Sequence, residues 1–245
     1  YLFVPPGSKD PVPDTGYFVM KPTTNTLLVF FRAFMKVGDI KGAVQGVKDN
    51  TNIFPLSAAT TDGSEPKIDF INTSGKQFNT ISANDFNSYD ELNQLVQTEP
   101  ADWTDPATVG LFASIGIRKG QDFAPDARMQ KILTEAVAVG NATARTIVFD
   151  PRDPSAYYYP DRKWFTGFIG GSYLFTNGAE LLLDARTLFF YYATGITPAM
   201  AMSEVNKGSA YAIATRDGKG DFLDGGKTYK LRLPPNVPAK AFWSV

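Results

Sequence analysis

The chain has 245 residues, with 24 basic and 25 acidic side chains and a formal net charge of −1. That balance leaves no electrostatic footprint for nucleic acid or an anionic membrane. Cysteine and histidine are both absent, which removes thiol nucleophiles, disulfides, Cys/His zinc sites and imidazole acid–base chemistry from these residues. Hydrophobic residues at 43% and charged residues at 20% are ordinary globular composition, enough for a sizeable core in one large domain or two modest ones. No apolar run approaches membrane-spanning length.

In chain order, Tyr1–Val4 reads as a strand followed by turns at Pro5-Pro6-Gly7 and Pro11-Val12-Pro13. Tyr17–Lys21 and Leu27–Phe34, rich in aromatic and β-branched residues, read as two more strands, the second with a helical alternative. A helix is predicted over Asp39–Lys48, capped by Asp39, with Ile40, Ala43, Val44 and Val47 on one face. Residues 50–78 read as an irregular connection. A helix capped by Asn84 places Phe86, Tyr89, Leu92 and Val96 on its apolar face. Asp105-Pro106 opens another, with Val109, Phe112 and Ile115 inward and Gly116 at its end. A third starts near Pro125-Asp126 and is expected to kink or break at Gly140-Asn141.

Asp150-Pro151-Arg152-Asp153-Pro154 cannot continue a helix and marks the clearest boundary. After it comes an aromatic-rich stretch and then a predicted helix from Ala179 to Thr194. Asn177 and Glu180 are spaced as a capping box, and Gly195 and Pro198 form a stop. The remainder reads as β, with turns at Asp217-Gly218 and Gly225-Gly226 and a strand over Tyr229–Leu233. The tracts Tyr1–Val4 and Ala241–Val245 both read as strands cut in the middle, so an internal portion of a longer polypeptide is expected.

The helix predicted at 179–194 carries apolar residues around most of its circumference and is expected to be largely buried. Glu180, Asp184, Thr187, Tyr191 and Thr194 recur at helical spacing and form one polar stripe, with Arg186 roughly opposite. One reading makes the stripe a polar pocket, with Arg186 holding an anion. The plainer reading makes it the solvent face, with Arg186 in a structural ion pair. Tyr157, Tyr158 and Tyr159 with Trp164 and Phe165 form either a stacking platform for a glycan or aromatic ligand, or core filling at a junction. The binding candidates are therefore Asp184, Arg186, Tyr191, Glu180, Trp164 and Tyr159.

Carboxylates are the remaining acid–base groups of ordinary pKa. Glu180 with Asp184, or Asp161 near Trp164, are the pairs a carbohydrate hydrolase would use, at a separation of about 5 to 10 Å. Asp150, Asp153 and Asp161 lie close in sequence, and Asp beside Pro is usually a turn former. Asp217-Gly218-Lys219-Gly220-Asp221 fails as a calcium loop at its third, sixth and twelfth positions, Lys219, Phe222 and Thr228. Neither a metal nor a cofactor is expected.

Tyr1-Leu2-Phe3-Val4-Pro5-Pro6-Gly7 and Phe123-Ala124-Pro125-Asp126-Ala127-Arg128 resemble the first module of a widespread bacterial two-module family. Asp184–Gly195 and Leu223-Asp224-Gly225-Gly226-Lys227-Thr228-Tyr229 resemble its second. The pair are the domains of unknown function 1254 and 1214. The resemblance implies an α+β chain: residues 1–153 would be a β-rich module bearing a helical layer, and residues 154–245 part of a jelly-roll-like β-sandwich. It also implies flanking strands, an exported protein in the periplasm or outside the cell, and no established reaction. A non-catalytic ligand-binding or assembly role is the leading expectation, with a carbohydrate hydrolase as the alternative. The partners expected are a small-molecule or glycan ligand and either a second copy or the flanking strands.

Overall fold

The computed structural model describes residues 1–31, 33–60, 62, 64–193, 201–202, 204, 209–240 and 242–245. The chain is α+β, and its strands are short. It divides into two compact units, Tyr1–Thr134 and Glu135–Val245.

In the first unit, β1 (Leu2–Phe3) pairs in parallel with β2 (Val19–Met20). The Leu2 and Val4 amides donate to the Phe18 and Met20 carbonyls, each at 2.9 Å. Leu27–Phe34, expected as a strand or helix, forms neither in its described residues, and Leu27, Leu28, Phe31 and Phe34 are exposed. Their β-propensity has no neighbouring strand to act on, so it does not organise the backbone.

Helix α1 (Ile40–Asn50) starts where predicted, because the Asp39 carboxylate accepts the Gly42 amide at 2.8 Å. Its apolar face is not covered: Ile40 and Val44 are exposed. Helix α2 (Asn87–Thr98) begins later than Asn84. Asp85 folds back to accept the Asn87 amide at 3.0 Å, which holds the preceding residues in a turn. Phe86, Tyr89, Leu92 and Val96 do face inward, with Val96 buried. Helix α3 (Pro106–Ser114) is capped by Asp105, which accepts the Thr108 amide at 2.9 Å. Gly116 ends it with a φ of 94°, and the next residue, Ile117, is buried.

The end of α2 is tied down by distant polar groups. The Lys119 ammonium donates to the carbonyls of Gln97 (2.9 Å) and Glu99, and lies 3.4 Å from that of Val96. A cation at a helix C-terminus satisfies orphan carbonyls and opposes the macrodipole's negative end. Gln97 donates to the Arg118 carbonyl at 2.8 Å and accepts the Gly120 amide at 2.7 Å. Glu99 is 1% exposed, and its carboxylate accepts the Asn25 and Thr26 amides. The Thr26 hydroxyl first, then those amides and the Lys119 charge, hold Glu99 below its ordinary pKa of 4.5.

Helix α4 (Ala127–Phe149) starts at Asp126, whose carboxylate accepts the Met129 amide at 2.7 Å. It runs unbroken through Gly140-Asn141, against the expected kink. Glycine costs a helix about 1 kcal/mol but does not forbid helical dihedrals. Neighbouring Ala136, Ala138, Ala142 and Ala144 favour helix strongly.

The second unit takes the C-terminal part of α4, which stops at Phe149 before Asp150-Pro151. A small antiparallel ladder follows. The Tyr158 amide donates to the Trp164 carbonyl at 3.0 Å, and the Thr166 amide to that of Ala156 at 2.8 Å. Strand β3 (Trp164–Phe165) pairs with β6 (Ile213–Ala214). The ladder continues where the Leu223 amide reaches the Thr215 carbonyl at 2.8 Å.

Between these lies a hairpin of β4 (Thr176–Asn177) and β5 (Glu180–Leu181), then α5 (Leu183–Tyr192). The predicted helix start at Ala179 is therefore corrected. Asn177 and Glu180 face each other across the hairpin rather than forming a capping box. Gly178, with a φ of 59°, supplies the left-handed residue of a two-residue β-turn.

Helix α5 buries only Ala185 and Leu188, so the expectation of a largely buried helix is also corrected; Leu183 and Phe190 are exposed. Ala185 and Leu188 join Ala156, Phe165 and Ile169 in the core, with Ile147 of α4 packed against it. Residues 229–233, expected as a strand, form none, and Tyr229, Leu231 and Leu233 are exposed. The predicted stop at Gly195 and Pro198 lies outside the described residues.

Two measurements check these assignments. Asp126→Ala is expected to lower stability by about 1 kcal/mol in urea unfolding, the usual worth of an N-cap. A carboxylate with a depressed folded pKa gives stability that is present above its unfolded value and lost as pH falls through the folded one. The urea midpoint of the first unit's transition should therefore fall below pH 4.5, and Glu99→Gln should flatten that limb.

Candidate functional site

The last turn of α4 is where the second unit's polar groups converge. A helix leaves its final carbonyls without intrahelical partners. Here the Tyr192 hydroxyl of α5 donates to the Val148 carbonyl at 3.0 Å. The Thr215 hydroxyl, just past β6, donates to that of Phe149 at 2.7 Å. The adjoining Asp150 carboxylate meets the Arg216 guanidinium at 3.2 Å, with the two side chains 44% and 22% exposed. Arg216 also donates to the Gly220 carbonyl at 2.8 Å and stacks over the Phe222 ring at 3.8 Å. The Tyr157 hydroxyl donates to the Pro151 carbonyl at 2.8 Å and lies 3.4 Å from Asp150.

Burial raises the pKa of Tyr192 above its ordinary 10.0. Burial, then the Asp150 charge and hydrogen bond, raise that of Tyr157, while the Arg216 charge opposes the shift. Both phenols stay neutral at physiological pH and act as donors.

Beside this network lies an open cavity of about 410 Å³. Val148 and Phe149 of α4 and Tyr191 and Tyr192 of α5 line it, together with Ile213, Ala214, Thr215 and Leu223 from the ladder. Its described lining is aliphatic and aromatic apart from three hydroxyls. Such a lining can bury and orient apolar surface.

Of the residues expected to form one polar stripe, Asp184, Thr187 and Tyr191 share one face of α5, while Glu180 precedes the helix. Glu180 sits on β5, exposed. Asp184 of α5 forms an exposed ion pair with Arg152, which contributes little once salt screens it. The Thr187 hydroxyl bonds back to the Leu183 carbonyl at 3.0 Å, and Thr194 lies outside the described residues. Arg186 is exposed, with no side-chain partner among the described residues. Among the stripe's described residues, Tyr191 alone lines the cavity.

Trp164 is half-buried on β3 and Tyr159 exposed. Tyr158 spends its hydroxyl on the Tyr211 carbonyl at 2.6 Å. Asp153 accepts the Ser155 amide as a turn cap, and Asp161 is exposed, 3.8 Å from Arg162. Among the described residues no group of three or more carboxylates is placed to hold a metal. Sequence reasoning missed Arg216 and Thr215. The one signal for them was their position at the mouth of the Asp217 turn; their partners lie 66 residues earlier in the chain.

A family described as protein of unknown function (DUF1214) matches residues 208–245. That segment is similar to DUF1214. It contributes Ile213, Ala214, Thr215 and Leu223, so the DUF1214-like segment supplies one wall of the cavity. No curated protein matches the chain.

A neutral phenol with a raised folded pKa gives stability that is present below its unfolded value and lost as pH rises through the folded one. Stability of the second unit should accordingly fall above about pH 10. Tyr192→Phe should lower stability at neutral pH by about 1 kcal/mol through the lost cap. It should also reduce the alkaline fall, read as unfolding midpoint against pH.

Proposed function

We propose that this is an exported envelope protein with a non-catalytic binding and assembly role, built on the paired modules that its resemblance implies. The observation that carries the reading is the apolar surface of the first unit. Tyr17, Phe18, Leu27, Leu28, Val29, Phe31, Phe34, Met35 and Val37 are all exposed. Phe34 and Val37 are accessible over their full side chains. Isolated exposed apolar residues are ordinary, whereas a dense run of them marks a docking surface.

The short β1–β2 pair favours a polypeptide partner. Parallel strands are normally covered on both faces and rarely stand as a pair. With the Leu2 and Val4 amides directed at β2, strand alternation turns the Phe3 amide toward the open edge. An added strand, from flanking chain or a second copy, would pair there and cover the apolar run. Such flanking strands would also complete the jelly-roll-like body that the resemblance to family 1214 implies for residues 154–245. Export rests on the resemblance to the two-module family alone.

The test is sedimentation of the purified chain across a concentration series, beside Leu28→Asp/Val37→Asp. Association that the double variant reduces at least tenfold, with the circular dichroism spectrum retained, supports the reading. A monomer at all concentrations that captures no added strand peptide, or measurable turnover of a glycan, ester or amide, contradicts it.

A further inference from the structure

We infer that the cavity of the second unit binds a neutral, largely apolar small molecule, about two to three aromatic rings or the equivalent length of alkyl chain, carrying at most one hydrogen-bond donor. This stands on different residues from the assembly reading and does not depend on it.

Size comes first. About 410 Å³ lies in the range of small-molecule sites, roughly 300 to 1,000 Å³. It is also well above the roughly 150 Å³ that accommodates benzene in an apolar cavity. Charge comes next. Arg216, the cation adjoining Thr215, is already held by Asp150 and stacked on Phe222. No cation or anion lines the cavity among the described residues. A charged group set against the described lining would lose part of its hydration and meet no countercharge there.

The hydroxyls set the polarity of the one permitted polar group. Tyr192 and Thr215 each donate their single proton to an α4 carbonyl. Each offers the cavity only lone pairs, so it can accept from a ligand but not donate to one. A ligand N–H or O–H fits those acceptors; a ligand carboxylate or sulfonate does not. Tyr191 also lines the cavity, packed edge-on against Phe190, and its hydroxyl has no partner among the described residues, so it can accept from or donate to a neutral ligand's polar group. A monosaccharide, with several hydroxyls to satisfy, finds too few partners here.

The test uses two probes on one skeleton. N-phenyl-1-naphthylamine is neutral, apolar and carries one free N–H; its 8-sulfonate adds a charge to the same skeleton and draws that N–H into an internal hydrogen bond, removing both features the cavity selects. The full chain is expected to bind the neutral probe saturably at one equivalent, and the sulfonate at least tenfold more weakly. Ala214→Phe fills the cavity from β6 and should weaken the neutral probe at least tenfold with the circular dichroism spectrum unchanged. Leu223→Trp is the second filling variant, should the first not fold. Arg186→Ser, on a residue outside the cavity lining, should leave binding unaltered. Equal binding of the two probes, a stoichiometry of several equivalents, no saturable binding, or indifference to a folded filling variant would each overturn the inference.

Discussion

The second unit depends on how the last carbonyls of α4 are satisfied. A half-buried helix end with open carbonyls forfeits roughly 1–3 kcal/mol per unpaired group. The hydroxyls of Tyr192 and Thr215 close two of them, at 3.0 and 2.7 Å. Those bonds join α4 to α5 and to the ladder. The Asp150–Arg216 pair fixes the next residue along. The first unit uses the same device with a different donor: Lys119 closes the end of α2, and Glu99 grips the backbone at Asn25 and Thr26. In each unit a helix C-terminus is the assembly point, closed by residues far away in sequence.

This has a functional consequence. Apart from the Tyr191 hydroxyl, the polar groups nearest the cavity are consumed by structure among the described residues. Tyr157, Tyr192 and Thr215 donate to main-chain carbonyls, and Asp150 and Arg216 neutralise each other. What remains is rings, aliphatic surface, lone pairs and the Tyr191 hydroxyl. Among the described residues the lining offers shape and burial, the terms on which the proposed ligand would be recognised.

Features encoded locally were legible in the sequence. Asp39, Asp105-Pro106 and Asp126 announce helix starts because a cap needs only the next three residues. Phe86, Tyr89, Leu92 and Val96 were readable as an inward face from spacing alone. Where two structures share one local signature, the reading failed. Asn177 and Glu180 have capping-box spacing but serve equally as facing residues of a hairpin, and Gly178 decides for the hairpin. Glycine at 140 signalled a break, yet alanine-rich neighbours carry the helix through. The β-rich residues 27–34 and 229–233 need a neighbouring strand that propensity cannot supply. The cavity was the least legible feature, because its walls come from three segments and its caps span 44 and 66 residues. Only Tyr191 among the expected site residues belongs to it.

Hydrogen–deuterium exchange at the end of α4 addresses the capping role most directly. Comparing wild type with Thr215→Val, the account predicts that amides of residues 146–150 exchange on the order of tenfold faster, as loss of about 1.4 kcal/mol of local stability requires. Protection at the start of α4 should be unchanged. Equal exchange in both proteins along the whole helix would contradict it.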